Sequence, residues 1–421
     1  MVRHSIRTAL AAAILTAFAA AGTLPAQAHP VTEARSISVH PRPAAPIPYA
    51  EGRDTVAPSL RVATFNASLN RPLPGQLAAD LSTPLDAQAQ AVAEIVQRNA
   101  PDVLLLNEFD YDAEGAAAEG FKSNYLARSQ GGQAPIDYPY MYLAPSNTGI
   151  PSGADLDGDG IVGGPSDALG YGDFEGQYGM VLFSKHPIDA ANARTFQTFL
   201  WKDMPDSQLP TRHYDELVRG VLRLPSKSMW DVPVTVGDKT IHVIAAHPTP
   251  PVFDGPEKRN QARNHDEIRF IHDYLGGAGR GDYIYDDAGR RGALEPGSDF
   301  VVLGDLNSDA AAGESDPAAI AELLGNPLLV DPLPAVPDLP GDPELRGIAG
   351  ITRSALGTAD FGRGSAGVLR VDYVLPSATL PVRGSGVFWP GAGQDGAELV
   401  SGWPPASSDH RLVWVDVTVT G

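Results

Sequence analysis

Residues 300–303, Phe-Val-Val-Leu, form a wholly apolar run that stops at Gly304 and leads at once into Asp305, Leu306 and Asn307. A run this short, punctuated by glycine, is the pattern of a strand covered on both faces. Apolar stretches of the same kind stand at 103–106, 180–183 and 243–246. Strands buried on both sides need a packed layer on each side, which restricts the chain to layered architectures. In extended backbone Asp305 and Asn307 point to the same side, so one carboxylate and one amide converge on one point. Taken alone, Gly-Asp-Leu-Asn reads equally as an Asx-rich turn closing a strand.

The order of elements narrows the choice. Residues 61–66 read as a strand ending in Asn66, and 84–99 as a helix with Leu85, Ala89, Val92, Ile95 and Val96 on one face. A strand over 102–108 ends at Asn107-Glu108, and residues 110–176, rich in Gly, Ala and acids, read as a long insertion without regular structure. Strands resume at 178–184, around 218–224 and at 240–246, the last leading into His247. Residues 259–275 form a helix with Ile268, Ile271 and Leu275 as its stripe, 325–368 a Pro/Gly-rich surface excursion, and 369–375 and 412–419 the closing strands. This alternation predicts an α/β fold with mixed sheets, because hairpin-length links accompany helical ones. One large domain over 59–421 is favoured over two or three smaller ones.

The first 28 residues read as a secretory signal: Arg3, His4 and Arg7, an apolar run over 9–21, then Ala26-Gln27-Ala28 as a small-x-small cleavage site. Residues 29–58 read as a flexible Pro/Ala-rich lead-in. No later stretch has the roughly 18 uninterrupted apolar residues of a membrane span, so the product is expected to be released to the exterior without a membrane anchor. The absence of cysteine rules out disulfide staples. Loss of the signal removes two arginines and no acid, moving the formal charge from −20 to −22. So acidic a chain lacks the broad basic footprint of proteins that grip long nucleic acid, but it suits cation binding. No obligate protein partner is inferred.

Five strands end in a residue able to bind a metal or move a proton: Asn66, Glu108, His247, Asp305 with Asn307, and Asp372. Ser408-Asp409-His410 precedes the last strand as a sixth position. Rigid strands with free loops are how sheet scaffolds assemble a site. An isolated His before Pro, as at His247, is otherwise a loop residue, and His410 alone reads as a surface residue. His186, His213, His265 and His272 read as structural or exposed.

With these residues in hand, the chain resembles the endonuclease/exonuclease/phosphatase superfamily with the DNase-I-like fold. The motifs are T-F-N (Asn66), P-D-V-L-L-L-N-E (Glu108), Y-G-M-V-L-F-S-K, A-H-P-T (His247), G-D-L-N (Asp305, Asn307), R-V-D-Y-V-L (Asp372) and S-D-H (Asp409, His410), in the family's order from about residue 60 to 419. The resemblance implies a four-layered α/β sandwich with two central mixed β-sheets flanked by helices, and divalent-metal-dependent hydrolysis of phosphoester bonds. It implies Glu108 as principal metal ligand with Asn66 and Asp409 nearby, and Asp305 and Asn307 as positioning groups for nucleophile and phosphate. It further implies His410, held by Asp372, as the base and His247 as a donor to the phosphate. Hard oxygen ligands suit Mg²⁺ or Mn²⁺, whereas zinc would want more histidine or thiolate.

At one place the chain departs from the family pattern. The family places a Tyr or Arg facing the phosphate before the Y-G-M-V-like strand, where this chain has Gln177 and Tyr178. Arg259, Arg263 or Lys202 are the cations available to replace it, against a solvated helix face as the plainer reading. A second metal candidate lies in the insertion, where Asp155, Asp157 and Asp159 copy half of a calcium loop around Gly160. The twelfth position is Ser166, with Asp167 one residue late, so a structural Ca²⁺ and an unliganded acidic turn both remain open.

Three functions fit these residues. The first is a secreted phosphoesterase acting on phosphodiesters or phosphomonoesters by metal-assisted in-line attack of water. The second is a secreted endonuclease or exonuclease on DNA or RNA, which the acidic charge disfavours. The third, a catalytically silent binding module, is opposed by the intact polar set.

Overall fold

The computed structural model describes residues 59–277, 279–334, 356–362 and 365–420. The signal and lead-in expected at 1–58, and most of the excursion expected at 325–368, lie outside the described residues. In chain order the strands are β1 (Ser59–Leu69), β2 (Val103–Phe109), β3 (Tyr140–Tyr142), β4 (Met180–Ser184), β5 (Arg194–Thr195), β6 (Met229–Val236), β7 (Lys239–Ala246), β8 (Asp299–Asp305), β9 (Ala359–Asp360), β10 (Val368–Leu369), β11 (Asp372–Pro376), β12 (Val382–Val387) and β13 (Val413–Thr418). The α-helices are α1 (Gln76–Leu81), α2 (Ala87–Asn99), α3 (Ala116–Phe121), α4 (Glu216–Val221), α5 (Arg259–Leu275) and α6 (Pro317–Leu324).

Two mixed sheets result, one ordered β12-β13-β1-β2-β4-β3 and the other β11-β8-β7-β6-β5. Each contains one parallel pair, β1 with β2 and β7 with β8, and helices cross between the partners: α1 and α2 in the first case, α5 in the second. A parallel pair requires such a crossover, whereas the antiparallel pairs around it need only short turns.

Strand alternation builds the layers. In β2, Val103 and Leu105 face the other sheet, and Leu104 and Leu106 face the helices. In β8, Val301 and Leu303 face inward, and Phe300 and Val302 pack with α5 and α6. Both faces of these strands are therefore covered, which is why their sequences are apolar without a break. The outcome is the four-layered α/β sandwich with two central sheets that the resemblance implies.

Several local expectations are corrected. The helix expected over 84–99 begins at Ala87, because Asp86 caps it by accepting a hydrogen bond from the Ala89 backbone N–H at 2.8 Å. Leu85 is thereby left outside, 78% exposed. Of the strand expected around 218–224, only Arg223 makes a β-bridge, to Leu200, and residues 218–221 belong to α4, started by Asp215, whose side chain accepts from the Val218 N–H at 2.8 Å. Its neighbour β6 pairs with β7 along its whole length. Pro233 hides β6 in the sequence, but its carbonyl faces away from β7 and accepts from the Asp189 N–H at 2.9 Å, so the N–H it lacks falls outside the β6–β7 ladder, beside the short 187–189 segment. The 110–176 insertion is not structureless. It holds α3 and β3, and Phe121, Tyr125, Leu126 and Tyr138 are buried in the core between sheet and helices.

Gly304 makes a local demand. Its φ is +147°, and a Cβ there would lie 1.8 Å from the Ala246 carbonyl oxygen of the neighbouring strand. Gly304→Ala is expected to destabilise the fold by more than about 3 kcal/mol, since neither backbone can yield without unpairing β7 from β8. Urea denaturation checks this, and an unchanged midpoint would contradict it.

Candidate active site

The two sheets bring their strand ends together. Asn66, near the end of β1 and 1% exposed, is the strut between them. Its Nδ2 donates to Glu108 Oε1 at 3.1 Å and to Asp305 Oδ2 at 3.0 Å, while its Oδ1 accepts from the Ser68 N–H at 3.2 Å. Its amide oxygen is thus turned to its own backbone. Asn66, expected as a metal ligand, donates to two carboxylates, one from each sheet.

Glu108 ends β2 with φ +55°, a left-handed conformation that an ordinary residue holds only when its surroundings impose it. Its second oxygen accepts from Asn70 Nδ2 at 3.0 Å. Burial holds its carboxyl above the usual carboxylate range; His410 and the Asn66 hydrogen bond oppose this, and the charges of Asp409 and Asp305 add to it. Asp409 is half-buried, and among the described residues no group hydrogen-bonds its carboxylate.

Asp305 closes β8 directly opposite Asp372 of β11. Its Oδ1 accepts from the Asn307 N–H at 2.9 Å, and its Oδ2 lies 3.5 Å from His247 Nε2 and 3.8 Å from His410 Nε2. Burial raises its pKa above the carboxylate range, opposed first by His410. Asn307 corrects an expectation. Its φ is +51°, so the chain leaves the strand after Asp305, and the two side chains do not align by strand alternation. Asn307 Nδ2 donates instead to the Pro248 carbonyl at 3.1 Å, tying this turn to the loop after His247.

The two histidines differ in charge. His410 Nδ1–H donates to both oxygens of Asp372, at 2.9 and 3.2 Å, which leaves Nε2 facing Asp305. Burial alone would lower the pKa of this imidazole, but Asp372, Asp305 and Asp409 outweigh it and raise it. The ring of Phe361 meets it edge-on, centroids 5.5 Å apart. His247, 2% exposed, is held well below the usual histidine range by burial, with Lys227 and His410 adding to the effect. Its buried Nδ1 has no hydrogen-bond partner.

A divalent cation fits this donor set. Among the described residues no Lys or Arg forms an ion pair with Glu108, Asp305, Asp372 or Asp409, so the acidic charge is uncompensated except by His410. Asp305, Asp372 and His410 also place ligand atoms within 4.8 Å of one another. Asp372 and His410 are hydrogen-bonded to each other, and the charge of Asp409 acts on Glu108.

Of the cations considered in the sequence, Arg259 and Arg263 are occupied elsewhere. Arg263 donates to the carbonyls of Leu224, Leu169 and Arg223, and Arg259 to that of Ser166. Lys202 is exposed. Gln177 is a buried brace whose Nε2 donates to the Arg71 carbonyl at 2.8 Å. Tyr178 turns through φ +57° beside Glu108, whose charge adds to burial in raising the phenol's pKa. The cation that sequence reading missed is Lys227, buried before β6 and felt by both Glu108 and Asp305. A lone Lys between two serines carries no periodic or motif signal.

In the insertion, Asp155, Asp157 and Asp159 hold oxygens within 4.8 Å of one another. Their carboxylates accept N–H groups of their own loop: Asp155 from Gly158 and Gly160, Asp157 from Asp159, and Asp159 from Ile161. Asp167 is buried and clamps the loop by accepting from the N–H groups of Leu156 and Gly163 at 2.6 and 2.8 Å. These hydrogen bonds shape the loop.

Comparison with solved structures finds an endonuclease/exonuclease/phosphatase from Beutenbergia cavernae, 19% identical over 86% of this chain and 72% of that one, TM-score 0.46. It also finds sphingomyelinase C from Streptomyces griseocarneus, 18% identical over 85% and 99%, TM-score 0.45. Truncated TDP2 from Caenorhabditis elegans is 14% identical over 86% and 98%, TM-score 0.41. Comparison with curated proteins gives no significant match. The profile of the Endonuclease/Exonuclease/phosphatase family matches residues 63–410, a span that runs from β1 to His410 and takes in each of the strand ends described above; the chain belongs to that family.

Proposed function

We propose that the chain is a secreted, Mg²⁺- or Mn²⁺-dependent hydrolase of small phosphoesters. The family's members hydrolyse phosphoester bonds, and the observation that carries the reading for this chain is the position of the Asp305 carboxylate. It is held by Asn66 and Asn307 and faces both His247 and the Asp372-backed His410. The export-type segment at 1–28 supports secretion. No helix among the described residues is long and apolar enough to cross a membrane.

Glu108 and Asp409 would hold the cation, which when bound would supply Lewis-acid charge at a phosphoryl oxygen. Asp372 fixes the ring and tautomer of His410, so that Nε2 and Asp305 face the same space, where the Asp305 carboxylate can take a proton from water and the charged imidazole beside it offsets the negative charge. Neutral His247 offers a hydrogen bond to the phosphoryl group without adding a full charge. Asn66 and Asn307 fix the carboxylates and the turn on which this geometry rests.

The arginines near the site favour a small substrate over a polymer. Arg71 is paired with Asp80 and Asp86, Arg370 with Asp331, and Arg411 donates to backbone carbonyls. With these spent, they offer no track for successive phosphates. A panel of aryl phosphomonoesters and phosphodiesters, sugar phosphates, plasmid DNA and RNA tests this. Small esters are expected to turn over faster than nucleic acid, and the reverse order would favour the nuclease reading.

Cation affinity is also expected to rise with pH. Burial holds Glu108 and Asp305 above the ordinary carboxylate range, so each keeps its proton to higher pH, and a proton there competes with the cation. Calorimetric titration with Mn²⁺ at pH 5 and pH 8 checks the sign. Equal affinity at the two would contradict it.

A further inference from the structure

We propose that Lys227 is the phosphate-binding cation of this site, donating to the non-bridging oxygens of the phosphoryl group. This rests on the hydrolase reading above and adds to it a residue that no motif indicates.

The side chain of Lys227 is 7% exposed, yet it forms neither an ion pair nor a hydrogen bond with any described residue. A lysine this far withdrawn from water with no counter-charge in contact is costly, and a ligand anion would offset that cost. The charges acting on it are those of Glu267, Glu108 and Asp305, and it acts in turn on His247, which places it among the groups that meet the substrate.

The backbone around it is fixed to that of His247 by one carboxylate. Glu267 of α5 accepts from the Ser226 N–H and the Thr249 N–H, both at 2.6 Å, so the residue before Lys227 and the loop after His247 hang on the same side chain. The Ser226 hydroxyl donates to the His247 carbonyl at 3.4 Å. On the other side, Asn147 donates its backbone N–H to the Lys227 carbonyl at 2.8 Å and its Nδ2 to the Pro225 carbonyl at 2.7 Å. A flexible lysine stem is thus anchored at its base while its head is left free, which suits a point charge that must reach an incoming anion.

Charge balance agrees. A phosphate brings negative charge to a cleft already carrying Glu108, Asp305, Asp372 and Asp409. The nearby arginines are occupied, so among the described Lys and Arg residues near the site Lys227 is available to offset it.

The test uses the full chain with Lys227→Met, which keeps the length of the side chain and removes its charge. Inorganic phosphate binding to the Mn²⁺-loaded protein is measured by calorimetry, together with KM and kcat on an aryl phosphodiester, Mn²⁺ affinity and the melting temperature. Phosphate binding is expected to weaken about 10- to 100-fold, the worth of a charged hydrogen bond. KM should rise more than kcat falls, with Mn²⁺ affinity and melting temperature no lower than in the wild type. Phosphate binding within threefold of wild type overturns the proposal, because a mere counter-ion to the acidic cluster would leave it unchanged. Should Lys227→Met fail to fold, the same measurement on Lys227→Gln decides. If the wild type binds phosphate through Lys227 but hydrolyses no ester, the hydrolase reading falls while Lys227 keeps its role.

Discussion

Asp305→Asn is expected to lower kcat about a thousandfold or more while the protein still folds and still binds a divalent cation. The carboxylate accepts from Asn66 Nδ2 and from the Asn307 N–H, and it faces both histidines. An amide in its place keeps the volume but sets an NH₂ group against one of those donors and removes the charge between the two imidazoles. Glu108 and Asp409 are untouched by the change, so Mn²⁺ affinity should remain within a few fold. Steady-state kinetics and calorimetry on the same preparation check both halves. Loss of cation binding in this variant would make Asp305 a ligand instead of a positioning group.

Glu108→Gln should produce the opposite pattern. Each oxygen of Glu108 accepts one amide hydrogen bond, from Asn66 and from Asn70, and glutamine can accept only one of them. Divalent-cation affinity is expected to fall about 100-fold or more, with activity falling alongside. Stability should not fall with it. Burial raises the carboxyl's pKa, so the ionised form is the disfavoured one in the folded chain, and its cost appears as pH rises through the folded value. In chelator at pH 8 the variant should therefore melt at or above the wild-type temperature. A variant that melts far lower, or that binds Mn²⁺ normally, contradicts this role for Glu108.

The sequence showed the parts of the molecule in which local pattern and tertiary environment agree. Apolar runs such as 300–303 are strands because sheet and helix cover their two faces, and the polar residues that end them converge because the two sheets pack with those ends together. What stayed hidden is where tertiary context decides. Pro233 argues against a strand until it is known that its nitrogen faces away from the β6–β7 ladder. Val218 to Leu224 has strand-like composition, but its first four residues lie in a helix capped by Asp215 and only Arg223 bridges another segment. The left-handed turn at Asn307 and the reversed amide of Asn66 cannot be read from residue spacing, because each is set by hydrogen bonds from segments distant in sequence. Lys227 is the furthest from view, since its meaning comes entirely from the lack of a partner in the folded chain.

The central claim is that this chain hydrolyses phosphoesters with a divalent cation and the His410–Asp372 pair. The most direct test follows release of nitrophenol from bis(4-nitrophenyl) phosphate by wild type and His410→Ala, each stripped with EDTA and then resupplied with Mg²⁺ or Mn²⁺. Wild type should be inactive when stripped and active when either cation returns, and His410→Ala should stay inactive with the cation present. Hydrolysis that survives EDTA, or that persists undiminished in His410→Ala, would contradict the account.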